Sequence, residues 1–144
     1  MYYSIIPSLL LAFLLQSTEY KFEQLIGTWQ LVHFDAIDHL RKSPEYQNAN
    51  STMREGIEYK IQNRLENTVY MFVEGDSLKY TDYVNHEVIQ LKAKIVLSSD
   101  DILTFTTASE SRQAKIVALD SIRLVLEPIS NKAGSGKLIF ERVK

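Results

Sequence analysis

Val88-Ile89-Gln90-Leu91-Lys92-Ala93-Lys94-Ile95-Val96-Leu97 alternates with a period of two. Ile89, Leu91, Ala93, Ile95 and Leu97 fall on one face, and Gln90, Lys92 and Lys94 on the other. Successive side chains of a strand point to opposite faces, so the segment predicts an antiparallel sheet with one dry and one wet side. The same grammar continues outward. Upstream, Asn85-His86 separates it from a strand over 77–83, and Gly75-Asp76 separates that from a strand over 68–74. Downstream, the turns 98–101, 108–111 and 120–121 punctuate strands over 102–107, 112–119 and 122–127. A loop over 128–136 leads to the last strand, 137–143, and the segment 26–34, rich in strand formers, is the first. The expected fold is all-β, an eight-stranded antiparallel up-and-down barrel. Closure is favoured because it removes the two exposed edges that an open meander leaves.

Between the first two strands the pattern changes. Residues 35–50 are polar, include Pro44, and read as a long connection. Thr52-Met53-Arg54-Glu55 matches a capping box. Met53, Ile57, Ile61 and Leu65 then recur every four residues, which places them on one helical face. The alternation of Ile57, Tyr59 and Ile61 also permits a strand; the fourfold recurrence favours one short helix over 53–66, capping a barrel mouth or lying on the outer wall.

The whole chain has 144 residues, a formal net charge of −2 and no cysteine. That length suits one domain. The charge balance argues against a nucleic-acid partner, and the lack of Cys excludes disulfides, thiolate metal sites and a lipidated cysteine. Residues 1–17 hold none of the Lys, Arg, Asp or Glu. Within them Ile5–Leu15 is apolar, too short to span a bilayer and of the length of a signal-peptide core, although no Lys or Arg precedes it. We expect a signal peptide over 1–17, a barrel domain over 18–144, and an exported protein, periplasmic or secreted, with no stable membrane span after cleavage. Asn50-Ser51-Thr52 forms a glycosylation sequon, which matters only on a eukaryotic secretory route.

Gly27-Thr28-Trp29 opens the first strand, and the last reads Leu138-Ile139-Phe140-Glu141-Arg142. This pairing resembles the lipocalin-like proteins of the calycin superfamily, most of all the small ones of bacterial envelopes. The resemblance implies that Gly27, Trp29 and Arg142 are a structural signature. Trp29 would close one end of the barrel and Arg142 would pack across its ring, a cation–π contact of about 0.5–2 kcal/mol. The chain departs from secreted animal lipocalins in lacking Cys. It departs from fatty-acid-binding proteins, which share the Gly-x-Trp start, in having eight expected strands where they have ten.

Strand parity points an apolar set inward, and Tyr70, Phe72, Tyr80, Leu91, Phe105, Ile116, Leu124 and Phe140 are the candidate ligand-binding residues. Such a lining fits a packed core and an apolar pocket equally. Tyr70 and Tyr80 are the expected polar contacts. His33, Asp35, Asp38 and His39 gather imidazole and carboxylate near one strand end, but without metal-ligand spacing, and no metal is expected. His86 reads as an exposed turn residue. The acid pairs Asp100-Asp101 and Asp82 with Glu87 read as turn and surface residues, and no Gly-x-Ser-x-Gly elbow occurs. Ala133-Gly134-Ser135-Gly136-Lys137 fails the phosphate-loop pattern, because Leu138 follows the lysine and a strand follows in place of a helix. The expected function is non-catalytic binding of a small hydrophobic or amphipathic molecule inside the barrel, with no cofactor. The alternative is a filled barrel that acts as a protein-interaction or structural module of the cell envelope, with the 35–56 segment as its surface and its protein partner unknown.

Overall fold

The computed structural model describes residues 19–130 and 136–144, and of residues 82–84 the backbone alone. The expected signal peptide and the centre of the 133–137 turn lie outside the described residues. Among those residues the strands are β1 (Gly27–Phe34), β2 (Val69–Val73), β3 (Ser77–Val84), β4 (Glu87–Leu97), β5 (Ile102–Thr106), β6 (Ser111–Leu119), β7 (Arg123–Ile129) and β8 (Leu138–Arg142). Each pairs antiparallel with the next, and β8 returns to β1, so the sheet is a closed eight-stranded barrel.

The turns carry the backbone geometry that hairpins demand. Val84 pairs with Glu87 across Asn85 and His86, and both turn residues have positive φ, 51° and 67°. Two consecutive positive φ values match the right-handed twist of the flanking strands. Two bulges adjust the facing of side chains. One lies between Leu31 and His33, and returns Phe34 to the interior opposite Leu138; the other lies between Ile116 and Ala118.

A short helix, α1 (Phe22–Leu25), closes the end at which β1 begins. Its Leu25 and the neighbouring Trp29 are fully buried, and Phe22 meets Phe72 edge-on at 6.4 Å. The Trp29 indole N–H donates to the Leu25 carbonyl at 2.8 Å, which satisfies its polar atom inside the core. The Arg142 guanidinium lies 4.2 Å above the Trp29 ring. Its N–H groups donate to the carbonyls of Ser121 (2.9 Å), Ile26 (2.7 Å) and Gln24 (2.9 Å). Gly27 makes this possible. Its φ is +135°, and a Cβ there would run into the Arg142 guanidinium.

The connection between β1 and β2 differs from the expected loop and single helix. Residues 35–50 hold two short helices, α2 (Ala36–Lys42) and α3 (Pro44–Gln47), ahead of α4 (Ser51–Asn67). Ser43 caps α3 by accepting the Tyr46 N–H, and proline occupies the first helical position. The cap of α4 is Asn50, whose Oδ1 accepts the Met53 N–H at 2.9 Å. The Thr52–Glu55 capping box is therefore not used, because Asn50 starts the helix earlier and both residues fall inside its first turns. Ile61 is buried, Ile57 and Leu65 pack beside it, and Met53 stays exposed at the far end. Glu58 ties the helices together, accepting two hydrogen bonds from Arg41 (2.9 and 2.7 Å) and one from the Tyr46 hydroxyl (2.7 Å). Those bonds, Arg41 first, hold the Glu58 carboxyl below its ordinary range. At the other end of α4 the Gln30 amide donates to the carbonyls of Leu65, Glu66 and Thr68, which the helix leaves without internal partners.

Arg142→Ala removes three charge-assisted bonds to carbonyls and the covering of Trp29. The expected loss is about 2–4 kcal/mol in urea unfolding, followed through the fluorescence of the single tryptophan. A loss under about 0.5 kcal/mol, the size of an ordinary surface substitution, would show that Arg142 does not hold the closed end.

Candidate functional site

The barrel is filled unevenly along its axis. Trp29, Phe72, Ile116, Leu124 and Phe140 occupy the closed end and are almost wholly buried. Toward the other end the interior side chains become aromatic with polar tips, or small. Tyr70 and Tyr80 meet edge-on at 5.6 Å, and Phe105 approaches Tyr70 at 6.5 Å. Ala114, with its small side chain, lines the same space. The result is a cavity of about 230 Å³, with the buried Leu78 and Leu126 deepest within it. It lies below the usual range of drug-sized pockets and well above a cavity of ~150 Å³ that holds benzene.

The mouth is set by two exposed arginines. Arg112 stands opposite Phe105 in the β5–β6 register and so shares its inward face. Arg64 comes from the last turns of α4, three residues after the buried Ile61, and its guanidinium lies 4.4 Å over the Phe34 ring at the barrel rim. Helix α4 thus delivers a charged side chain to the opening while its apolar residues rest on the barrel.

Barrel, buried tryptophan and covering arginine agree with the expected pattern. The fold is lipocalin-like. No family model matches the chain, and no curated protein matches it. Among solved structures it is similar to a bovine odorant-binding protein in complex with a selenium-containing odorant, at 15% identity and a TM-score of 0.48, over 90% of this chain and 76% of that one.

Of the eight residues singled out for the interior, Tyr70, Tyr80 and Phe105 line the cavity. Phe72, Ile116, Leu124 and Phe140 form the packed floor of the barrel beneath it. Leu91 is only half-buried and borders a groove that also takes in outer-wall residues such as Met71 and Lys79. Gly27, Trp29 and Arg142 stand together at the closed end, away from the cavity. Arg64 and Arg112 escaped the sequence reading. A signal existed for Arg112, since Ala114 and Ile116 follow it at two and four residues on the same strand face.

Among the described residues the His33, Asp35, Asp38, Asp101 and Asp120 side chains serve separate local contacts. His33 Nε2 meets Asp38 Oδ2 at 3.1 Å on the surface. Asp35 instead accepts the Lys137 N–H at 2.9 Å and donates its own N–H to the Lys137 carbonyl, bridging to the start of β8. Asp101 accepts the Tyr20 N–H at 3.1 Å, pinning the segment before α1. The Asp120 carboxyl is held below its ordinary range by the N–H groups of Ile122 and Arg123, a turn role. Among the described residues no three His, Cys, Asp or Glu side chains come close enough to hold a metal ion, and no helix is long and apolar enough to cross a membrane.

The uneven filling predicts unequal costs of truncation. Phe72→Ala is expected to lose about 3–5 kcal/mol by opening a void in the packed end. Phe105→Ala, already beside empty space, should lose less than half as much in the same urea titration. Equal losses would show that the interior is packed alike at both ends.

Proposed function

We propose that this chain is an exported, non-catalytic lipocalin-like protein of a bacterial envelope that binds one small apolar or amphipathic molecule in its barrel. The observation that carries the reading is the 230 Å³ cavity beneath Arg64 and Arg112, walled by Tyr70, Tyr80 and Phe105. Its apolar depth would bury a hydrocarbon or ring, at about 0.8 kcal/mol for each methylene removed from water. The lining supplies aromatic and aliphatic surface, two guanidiniums and an amide, which is the composition of a binding site. Among the described residues its lining includes no carboxylate or imidazole. Export rests on the charge-free residues 1–17 and the apolar run within them. The mature protein would then begin near Thr18, and the intact mass of protein recovered outside the cytoplasm checks this. A mass that retains Met1 would remove the cleavage from the proposal.

Octan-1-ol is a neutral probe of suitable size. We expect it to bind with a Kd of about 10–1000 µM by calorimetry, given its methylene content and the cost of immobilisation. Ala114→Phe places a ring in the cavity and should abolish that binding, with near-native circular dichroism and Trp29 emission. No binding to the native protein up to millimolar probe would favour the module that acts through its outer surface.

A further inference from the structure

We infer that the ligand is a small organic acid, held with its carboxylate between Arg64 and Arg112 and its apolar body against Tyr70, Tyr80 and Phe105. This rests on the cavity reading above and names the head group that the mouth selects. The first ground is charge. The chain carries slightly more acidic than basic residues, yet among the described residues the charged side chains that line the cavity are both arginines.

The second ground is geometry. The Arg64 guanidinium carbon lies 4.4 Å from the centre of the Phe34 ring. A cation–π contact uses none of the guanidinium's N–H groups for a hydrogen bond to an oxygen acceptor. Among the described residues no side chain or carbonyl accepts a hydrogen bond from the Arg64 guanidinium. Arg112 is engaged by Glu110 at 3.0 Å, but both partners are well exposed, and such a pair contributes little in high dielectric. A guanidinium fork binds a carboxylate through two parallel N–H···O bonds, so either arginine can take an incoming acid bidentately. The third ground is size. A cavity of about 230 Å³ accommodates a single ring or a chain of roughly eight carbons, and a long-chain acid would protrude.

Octanoate and octan-1-ol share their chain and differ in the head group. Calorimetry at pH 7.5 and low salt should give octanoate at least a tenfold tighter Kd than the alcohol. Added salt should weaken octanoate alone. Arg64→Gln and Arg112→Gln should each cut the preference several-fold, and the double variant should erase it, while the affinity for octan-1-ol stays within twofold. That constancy also reports that the barrel remains folded. Arg112→Gln changes an exposed strand residue and serves even if loss of the Arg64–Phe34 contact loosens α4. Equal or tighter binding of the alcohol to the native protein overturns the head-group assignment and leaves the cavity reading standing, as does a preference that survives in the double variant. Binding of neither probe overturns the cavity reading and this inference together.

Discussion

Arg142 is the point at which the first and last strands of the barrel are joined. Its backbone lies in β8, opposite Trp29 of β1, so it belongs to the strand pair that closes the sheet. Its side chain crosses that closure and holds carbonyls of the segment before β1 and of the turn before β7. A single cation therefore neutralises three carbonyl dipoles and roofs the largest buried ring. Gly27 is required by the same contact, since only a residue without Cβ lets the guanidinium lie so near the backbone. The clamp adds to what else holds α1 over Trp29, namely the buried Leu25 with its carbonyl, the Phe22 contact and the Tyr20 N–H on Asp101.

Fixing one end firmly leaves the other free to be hollow. The closed half is filled by large side chains, and the open half by Tyr70, Tyr80, Phe105 and Ala114, whose volumes leave space. Small domains have stability margins of only about 5–15 kcal/mol, so a void must be offset elsewhere. Here the offset is in the dense closed end. The rim then becomes the natural place for polar selection, where arginines reach both solvent and the interior.

The strands were legible because their code is local. Alternation on β4, Gly75-Asp76 and Asn85-His86 at the turns, and Gly-x-Trp at the start each state a backbone requirement in a few residues. The helical connection was partly legible. Ile57, Ile61 and Leu65 announced α4, but α2 and α3 present few buried side chains, and their sequence looks like solvated loop. Asn50 and Thr52 are both good caps, and only the chain path decides between them. The cavity was least legible. Parity says which residues face inward, as it did for Phe72 and Phe140, but not how closely the barrel walls approach each other. Arg112 was hidden because a charged side chain is assumed to face water. Arg64 was hidden because helix periodicity cannot say which rim the helix leans on.

The closure of the sheet also governs the order in which the molecule can be assembled. Arg142 and the Ile26 carbonyl that it grips are 116 residues apart in sequence. The hairpins from β2 to β7 can form as they emerge from the ribosome, but β1 has only one neighbour until β8 exists. Trp29 remains uncovered until Arg142 has been made, and closure waits for β8. Such non-local pairing makes for slow folding. The barrel therefore remains unclosed until β8 has been made, and loss of β8 would leave β1 as an open, aggregation-prone edge.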